Sequence, residues 1–205
     1  MVALGGNAIK KADEPGTYEE QLRAVRRTAE QLAEMVARGY ELVITHGNGP
    51  QVGNLLIQQE EGVRRGVPPQ PLDVLNAMTQ GQIGYMLQQS LQNALRARGI
   101  YRPVMTVITQ VLVRPDDPDF RDPSKPVGPF YTREEAEELA REKGYKIKKV
   151  LPGGGKAYRR VVPSPDPLAI VEGEAIREMV DLGMVVIASG GGGIPVVEEG
   201  GALRG

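Results

Sequence analysis

Cysteine and tryptophan are missing from the 205 residues, and histidine occurs once, at His46. Without cysteine there is no disulfide frame and no thiolate chemistry, and one histidine cannot build a multi-histidine metal centre. Neither sign of charge dominates: 25 Lys+Arg stand against 26 Asp+Glu, a formal net charge of -1. That balance provides no broad electrostatic footprint for nucleic acid. No apolar run approaches the ~18 residues of a membrane span, and nothing at the start reads as a signal peptide. The chain therefore reads as a cytoplasmic protein with no nucleic-acid or membrane partner. Aromatics are only 4% of residues, and with abundant Arg, Glu and Pro the composition fits a heat-stable protein.

What the chain does have is glycine, 26 residues of 205, well above the usual ~7%. The excess is clustered. "VALGGNAIK" begins at Val2, "ITHGNGPQVGN" at Ile44 and "IASGGGGIPVV" at Ile187. Each is a short apolar run that breaks into glycines.

Periodicity places these runs in an α/β pattern. Thr17 and Glu20 have capping-box spacing. Leu22, Val25, Ala29, Leu32 and Val36 then share one helical face, and Gly39 stands where a left-handed residue would end that helix. Glu41 to Thr45 reads as a buried strand, followed by a helix from Pro50 to about Glu61. A longer helix is expected from about Leu72 to Arg98. Its apolar side is Leu75, Met78, Ile83, Met86, Leu87, Leu91, Ala94 and Leu95. Gly81 and Gly84 inside it suggest close packing against another backbone, because each costs about 1 kcal/mol relative to Ala. Residues 103–113 read as one buried strand, 168–182 as a helix and "MVVIASG" as a strand. Such alternation predicts a three-layer α/β/α sandwich around a mainly parallel sheet. Residues 114–162 interrupt it: a Pro-rich charged loop, a helix capped by Thr132 and Glu135 that ends near Lys143, and a β-hairpin either side of "PGGG". They read as a small inserted lid subdomain in an α/β domain made of 1–113 and 163–205.

In parallel α/β folds ligands bind beyond the carboxyl ends of the strands, which is where all three glycine clusters fall. A strand that ends in glycines and enters a helix presents backbone N–H groups and the positive end of a helix dipole, an anion site that glycine lets a ligand approach closely. Two such sites, after residues 4 and 45, could hold two anionic groups, with Asn7 and Asn48 adding side-chain donors. Neither the Walker A pattern nor G-x-G-x-x-G followed by a helix is present.

Taken together, "ALGGNAI", "THGNGPQVGNLL", "AMTQGQIGY", "TQVLV", "KPVGPF", "RRVVPSPDP" and "GGGGIPVVE" resemble the carbamate kinases of the amino-acid kinase superfamily, in the same order and over nearly the whole chain. The resemblance implies a homodimer and reversible phosphoryl transfer between carbamoyl phosphate plus ADP and carbamate plus ATP. Mg²⁺ would be held by the nucleotide phosphates, with no protein metal site. It maps Gly5, Gly6 and Asn7 beside the transferred phosphoryl group and Gly47, Asn48 and Gly49 at the carbamoyl end. Gly190, Gly191, Gly192 and Gly193 map to the floor of the site, and Lys125 to a catalytic lysine of the protruding subdomain. Carbamate already carries an anionic nucleophile, so the chemistry asks for positioning and charge stabilisation and needs no base.

Several readings stay open at this point. His46 is either a base or a structural residue holding the second loop, and the lack of need for a base favours the second. Arg159 or Arg160 either ties the lid or faces phosphate, and Lys146, Lys148 and Lys149 read as a solvated hairpin face. Carbamate kinases run longer than 205 residues, and their later segments supply the nucleotide pocket. The expectation is that these residues hold the carbamoyl phosphate half and are inactive by themselves. A different small-molecule kinase of the superfamily, or a non-catalytic anion-binding or dimerisation module, are the alternatives.

Overall fold

The computed structural model describes residues 1–10 and 14–205. In chain order the strands are β1 (Val2–Leu4), β2 (Val43–His46), β3 (Val104–Thr106), β4 (Gln110–Val113), β5 (Lys125–Tyr131), β6 (Ile147–Lys149), β7 (Tyr158–Val162), β8 (Pro167–Ile170), β9 (Val185–Ile187), β10 (Ile194–Glu199) and β11 (Ala202–Arg204). The α-helices are α1 (Tyr18–Ala37), α2 (Gly49–Arg64), α3 (Leu72–Ala97), α4 (Arg133–Lys143) and α5 (Gly173–Asp181).

Local chemistry sets the helix ends. Thr17 Oγ1 accepts the Glu20 N–H at 3.3 Å, while the Glu20 carboxylate accepts the N–H groups of Thr17 and Gly16, both at 2.8 Å. Thr132 and Glu135 repeat the arrangement at α4, so both capping boxes form as expected. α1 closes on Gly39, whose φ of 89° lets its own N–H reach Val36 O and the Tyr40 N–H reach Met35 O, a Schellman ending.

One compact unit comprises Met1–Asn48, Asn76–Val111 and Ala169–Ile194. Its sheet has the order β1-β2-β9-β3, and every pairing is parallel. One face is covered by Val25, Ala29, Leu32 and Val36 of α1 and Ile83, Leu87, Leu91 and Leu95 of α3, packed on Ile44, Val104, Val185 and Ile187. On the other face Ile176 of α5 packs against Val186 and Ala188. Helices on both faces of a parallel sheet make the three-layer α/β/α arrangement that the periodicity predicts. The register aligns Leu4 with His46 and Ile44 with Ile187, so the glycine turns after β1, β2 and β9 leave the same sheet edge.

The second unit comprises Gly49–Leu75, Leu112–Leu168 and Pro195–Gly205. It holds α2, α4 and an antiparallel sheet of order β5-β7-β6. β5 crosses α2 closely: a Cβ on Gly53 would lie 3.6 Å from Gly128 Cα. A third sheet has the order β11-β10-β4-β8, and β10 and β11 form an antiparallel hairpin. Among the described residues, no helix is long and apolar enough to cross a membrane.

Four local expectations need correcting. Residues 103–113 are two strands in two different sheets, because the Thr109 N–H goes to the Gln80 side chain and the Thr109 carbonyl accepts from Ile194. Residues 167–170 are strand, not helix, because β8 pairs beside β4 and the Val171 N–H goes to Gln110 O. The Pro-rich stretch contains β5 and a short 3-10 turn at 118–120. Met78 faces outward at 44% exposure.

The two glycines of α3 also differ from one another. A methyl group on Gly81 would meet nothing within 4 Å, whereas a Cβ on Gly84 would collide with the Thr106 side chain, Cγ2 first. Gly84 is therefore required by β3 crossing over it. Gly84→Ala should lower stability by about 1–3 kcal/mol through overpacking, and adding Thr106→Ser, which deletes Cγ2, should recover part of the loss. Urea denaturation of the single and double variants measures both.

Candidate functional site

The first unit gathers most of the sequence-predicted site residues at its carboxyl sheet edge. After β1 the chain enters a 3-10 turn at Gly6–Ala8, closed by Ala8 N–H to Gly5 O and by the N–H groups of Ile9 and Lys10 to Gly6 O. The N–H groups of Gly6 and Asn7 stand outside those bonds, as expected at a helical start. After β2, the Gly47 N–H donates to Leu4 O at 3.3 Å, lacing the second glycine turn to the first. Gly47 N–H is thus used within the protein, and the donors remaining there belong to Asn48 and to Gly49, the first residue of α2. Pro50 has none.

The glycines divide into two kinds. Gly5, Gly6, Gly47 and Gly49 have no positive φ, and a Cβ on any of them would meet nothing within 4 Å. Among the described residues, neither backbone conformation nor internal packing demands glycine there. What glycine does at these positions is leave the peptide N–H edge open to close approach. The cluster after β9 is different. A Cβ on Gly190 would lie 2.5 Å from His46 Cε1, one on Gly191 would strike the Asn48 amide, and one on Gly193 would lie 2.6 Å from Val111 Cγ1. Gly191, Gly192 and Gly193 also have positive φ. These glycines are needed for fit and conformation within the protein.

Buried amides from α3 hold that fit. Gln80, 1% exposed, donates from Nε2 to Thr109 O at 3.2 Å and Gly190 O at 3.0 Å, and accepts the Thr109 N–H at 2.8 Å. Asn76 Nδ2 donates to Gly193 O at 2.8 Å, and Thr79 Oγ1 donates to Asn76 O at 2.7 Å. With those protons placed, Asn76 Oδ1 and Thr79 Oγ1 can only accept from Asn48 Nδ2, at 2.5 and 2.9 Å. Both Asn48 amide hydrogens are therefore used internally, and its side chain adds no free donor; its backbone N–H and Oδ1 remain. Asn7 is exposed and does keep its side-chain amide. Asn76, Thr79, Gln80 and Thr109 were not singled out from sequence. The signal was available: Thr79 lies four residues from both Leu75 and Ile83, on the buried side of an otherwise apolar helix face.

His46 is 4% exposed. Its Nδ1 lies 2.9 Å from Gly47 O; a carbonyl only accepts, so Nδ1 bears the proton. Burial lowers its pKa below the ordinary 6.5, partly opposed by that hydrogen bond. The imidazole is neutral and braces the Gly47 turn and Gly190, as the structural reading expects.

Lys125, Arg159 and Arg160 belong to the second unit. Lys125 opens β5, is exposed, pairs opposite Val162 and makes no ion pair among the described residues. Arg159 donates from Nε and Nη2 to Gly128 O at 3.1 and 2.7 Å and lies over the Phe130 ring. Arg160 stacks on Tyr145 at 4.0 Å. Both arginines tie the small antiparallel unit together. Lys148 pairs with Asp122 at 2.6 Å. Among the described residues, no group of three or more His, Asp or Glu could hold a metal ion.

A histidine whose folded pKa is depressed contributes stability above its unfolded pKa, near 6.5. That contribution is lost as pH falls from there toward the lower folded value. Thermal melts from pH 7.5 to 5 should therefore drop more steeply for the wild type than for His46→Asn. Parallel curves would show that His46 does not govern the acid limb.

The profile of the amino acid kinase family matches residues 1–205. The carbamate kinase of Pyrococcus horikoshii is 55% identical over 206 residues, covering 100% of this chain and 65% of that protein. The carbamate kinase of Thermococcus kodakarensis is 56% identical over 207 residues, with the same two shares. The structure of a carbamate kinase from Giardia lamblia bound to AMP-PNP superposes with a TM-score of 0.88 at 40% identity, covering 100% of this chain and 64% of that one. The chain thus spans about 65% of the length of the curated relatives it matches. With the parallel sheet, its glycine turns and a family match over all 205 residues, this chain belongs to the amino acid kinase family.

Proposed function

We propose that this chain supplies the carbamoyl phosphate portion of a carbamate kinase, which moves a phosphoryl group between carbamoyl phosphate plus ADP and carbamate plus ATP. The observation that supports this best is the outward glycine set. Gly5, Gly6 and Gly47 follow the ends of the adjacent parallel strands β1 and β2, Gly49 opens α2, and no described residue requires glycine at these positions. A doubly anionic substrate is what two neighbouring N–H edges would hold. The similarity to carbamate kinases over all of this chain favours that substrate over those of other kinases in the family.

In the ATP-forming direction, the ADP oxygen attacks phosphorus as the bond from phosphorus to the carbamate oxygen breaks. Carbamate leaves as an anion, so no proton must be moved in that step. The chain's part is to bind and orient. The N–H groups of Gly6 and Asn7 face the phosphoryl oxygens, and the second turn holds the carbamoyl end. Lys125, in the second unit, is assigned the point charge that phosphoryl transfer calls for. Mg²⁺ supplies charge neutralisation when bound with the nucleotide. The loop donors are N–H groups, which suit anions and not a cation, so the metal belongs with the nucleotide phosphates. On this reading the nucleotide contacts come from the remaining third of the relatives' length.

A homodimer is part of the same proposal. From Val74 to Leu95 α3 has no charged residue, yet Met78 and Tyr85 are 44% and 58% exposed. Gly81 between them has room for a methyl group that nothing fills. An uncharged outward face with a helix glycine suits close approach by a second copy. Light scattering should show a dimer for the wild type and a monomer for Tyr85→Glu; an unchanged mass would remove this face from the interface.

The test of function is calorimetric titration of a polypeptide of these 205 residues with carbamoyl phosphate, alongside a coupled assay for ATP. Binding without ATP formation is expected. Gly6→Ala should weaken binding by ~10-fold or more through steric loss of the close approach, a change of about 1.4 kcal/mol, with an unaltered melt. Within a polypeptide of the relatives' length, Lys125→Ala should lower kcat by ~10²-fold while the fold survives. Binding unaffected by Gly6→Ala would overturn the assignment of the first turn.

A further inference from the structure

Ser189 is the one non-glycine residue with positive φ among the described residues, at φ 53° and ψ 37°. It sits in a run otherwise made of glycine, between Ala188 and Gly190, in a backbone conformation that glycine adopts without penalty and serine does not. Its backbone is held there from both sides. The Ser189 N–H donates to Thr109 Oγ1 at 2.9 Å, and Thr45 Oγ1 donates to Ser189 O at 2.9 Å. Thr109 Oγ1 gives its own proton to Val107 O at 2.8 Å, so it is left as an acceptor for Ser189. Thr109 is itself fully buried. Two threonines thus over-determine a strained residue, the pattern of strain retained for a purpose.

The side chain, by contrast, has no hydrogen-bond partner among the described residues and is only half-buried. Its place is informative. The parallel register pairs Ile44 with Ile187 and Leu4 with His46. Just past the end of β9, the Ala188 N–H donates to Ile44 O and Thr45 Oγ1 to Ser189 O, so Ser189 stays beside the end of β2. It therefore lies at the sheet edge from which the Gly5 and Gly47 turns depart. The protein bears the strain of a left-handed serine at that edge, and among the described residues its hydroxyl has no partner.

We propose that the Ser189 hydroxyl is a ligand-contacting donor, giving a hydrogen bond to an anionic oxygen of the molecule held at the Gly5 and Gly47 turns. The inference rests on the anion-binding role assigned to those turns under Proposed function. Within that role it names a third contact, a side chain where the other two turns offer backbone, and so a means of distinguishing ligands by the oxygen they present.

The experiment compares wild type, Ser189→Gly and Ser189→Ala by titration with carbamoyl phosphate, with a thermal melt of each. Ser189→Gly deletes the hydroxyl and relieves the φ strain; Ser189→Ala deletes the hydroxyl and keeps the strain. The expected result is affinity ~10-fold weaker in both variants, the scale of one hydrogen bond to a charged group, with Ser189→Gly melting no lower than the wild type. That combination separates the contact from loop stability, because a loop freed of strain should not bind worse unless the hydroxyl binds. Unchanged affinity in both variants, with wild-type binding intact, overturns the Ser189 assignment and leaves the glycine turns standing. So does a loss of affinity that comes only with a lower melt in both. Absence of binding by folded wild type overturns the anion site and the Ser189 contact together.

Discussion

The Gln80 side chain uses every hydrogen-bonding group it has on two carbonyls and one N–H, and the sheet edge depends on that amide. Its partners, Thr109 and Gly190, lie 29 and 110 residues away in sequence. Thr109 is where the chain leaves the parallel sheet after β3, and Gly190 is where it turns after β9. An amide that is 1% exposed has no water to fall back on, so each lost partner would leave a group unsatisfied at about 1–3 kcal/mol. The same reasoning applies to the Asn48, Asn76 and Thr79 chain, whose proton directions are dictated by the carbonyls at its ends. α3 thus contributes apolar residues to the core along most of its length and, for five residues near its start, a polar clasp that positions two glycine turns.

That clasp explains why glycines that look alike in sequence differ in role. The Gly190–Gly193 run is shaped by what presses on it: the His46 ring, the Asn48 amide and Val111. It forms the inner wall. Gly5, Gly6, Gly47 and Gly49 have no such neighbours, and form the outward edge. His46 connects the two sets, since its Nδ1–H holds Gly47 O while the far side of its ring excludes any side chain at position 190. A charged imidazole would have to be desolvated in that gap, which is why its pKa falls and why it serves as a neutral brace. General-base chemistry would call for a pKa near the working pH.

Much of this was legible in the sequence where the cause is local. Both capping boxes, the Gly39 ending and the apolar faces of α1 and α3 follow from spacing within a few residues. The glycine clusters at strand ends needed only the rule that parallel sheets bind ligands at their carboxyl edge. Failures occurred where a distant partner decides. Nothing between Pro103 and Val113 announces that Thr109 gives its N–H to a helix side chain and so splits one strand into two. Nothing in "PLAIV" shows that Val171 pairs with Gln110, which overrides helical periodicity there. Asn48 looks like an available donor until Asn76 and Thr79 are seen to take both of its hydrogens. Lys125 was identified through resemblance and lies in the second compact unit, where its β5 position follows from pairing with Val162.

The distribution of polar groups bears on the chemistry as well as the fold. The proposed phosphoryl transfer to or from carbamate requires no base, and among the described residues the imidazole at the sheet edge is buried and used as a brace. His46 is kept neutral, the side-chain amides of Asn48, Asn76 and Gln80 are used internally, and what is left over among the described residues is peptide N–H, the exposed Asn7 amide and the half-buried Ser189 hydroxyl. These are fixed dipoles whose orientation is set before any ligand arrives. Such donors stabilise shifting negative charge without reorganising at the moment of transfer, which is the larger part of what this reaction class requires. Their setting comes from hydrogen bonds made directly on the turns, by Gln80 to Gly190, by Asn76 and Thr79 to Asn48 and by Thr109 to Ser189. Weakening the Gln80 or Asn48 clasp should therefore disturb binding through geometry, even though neither amide has a free hydrogen to offer a ligand.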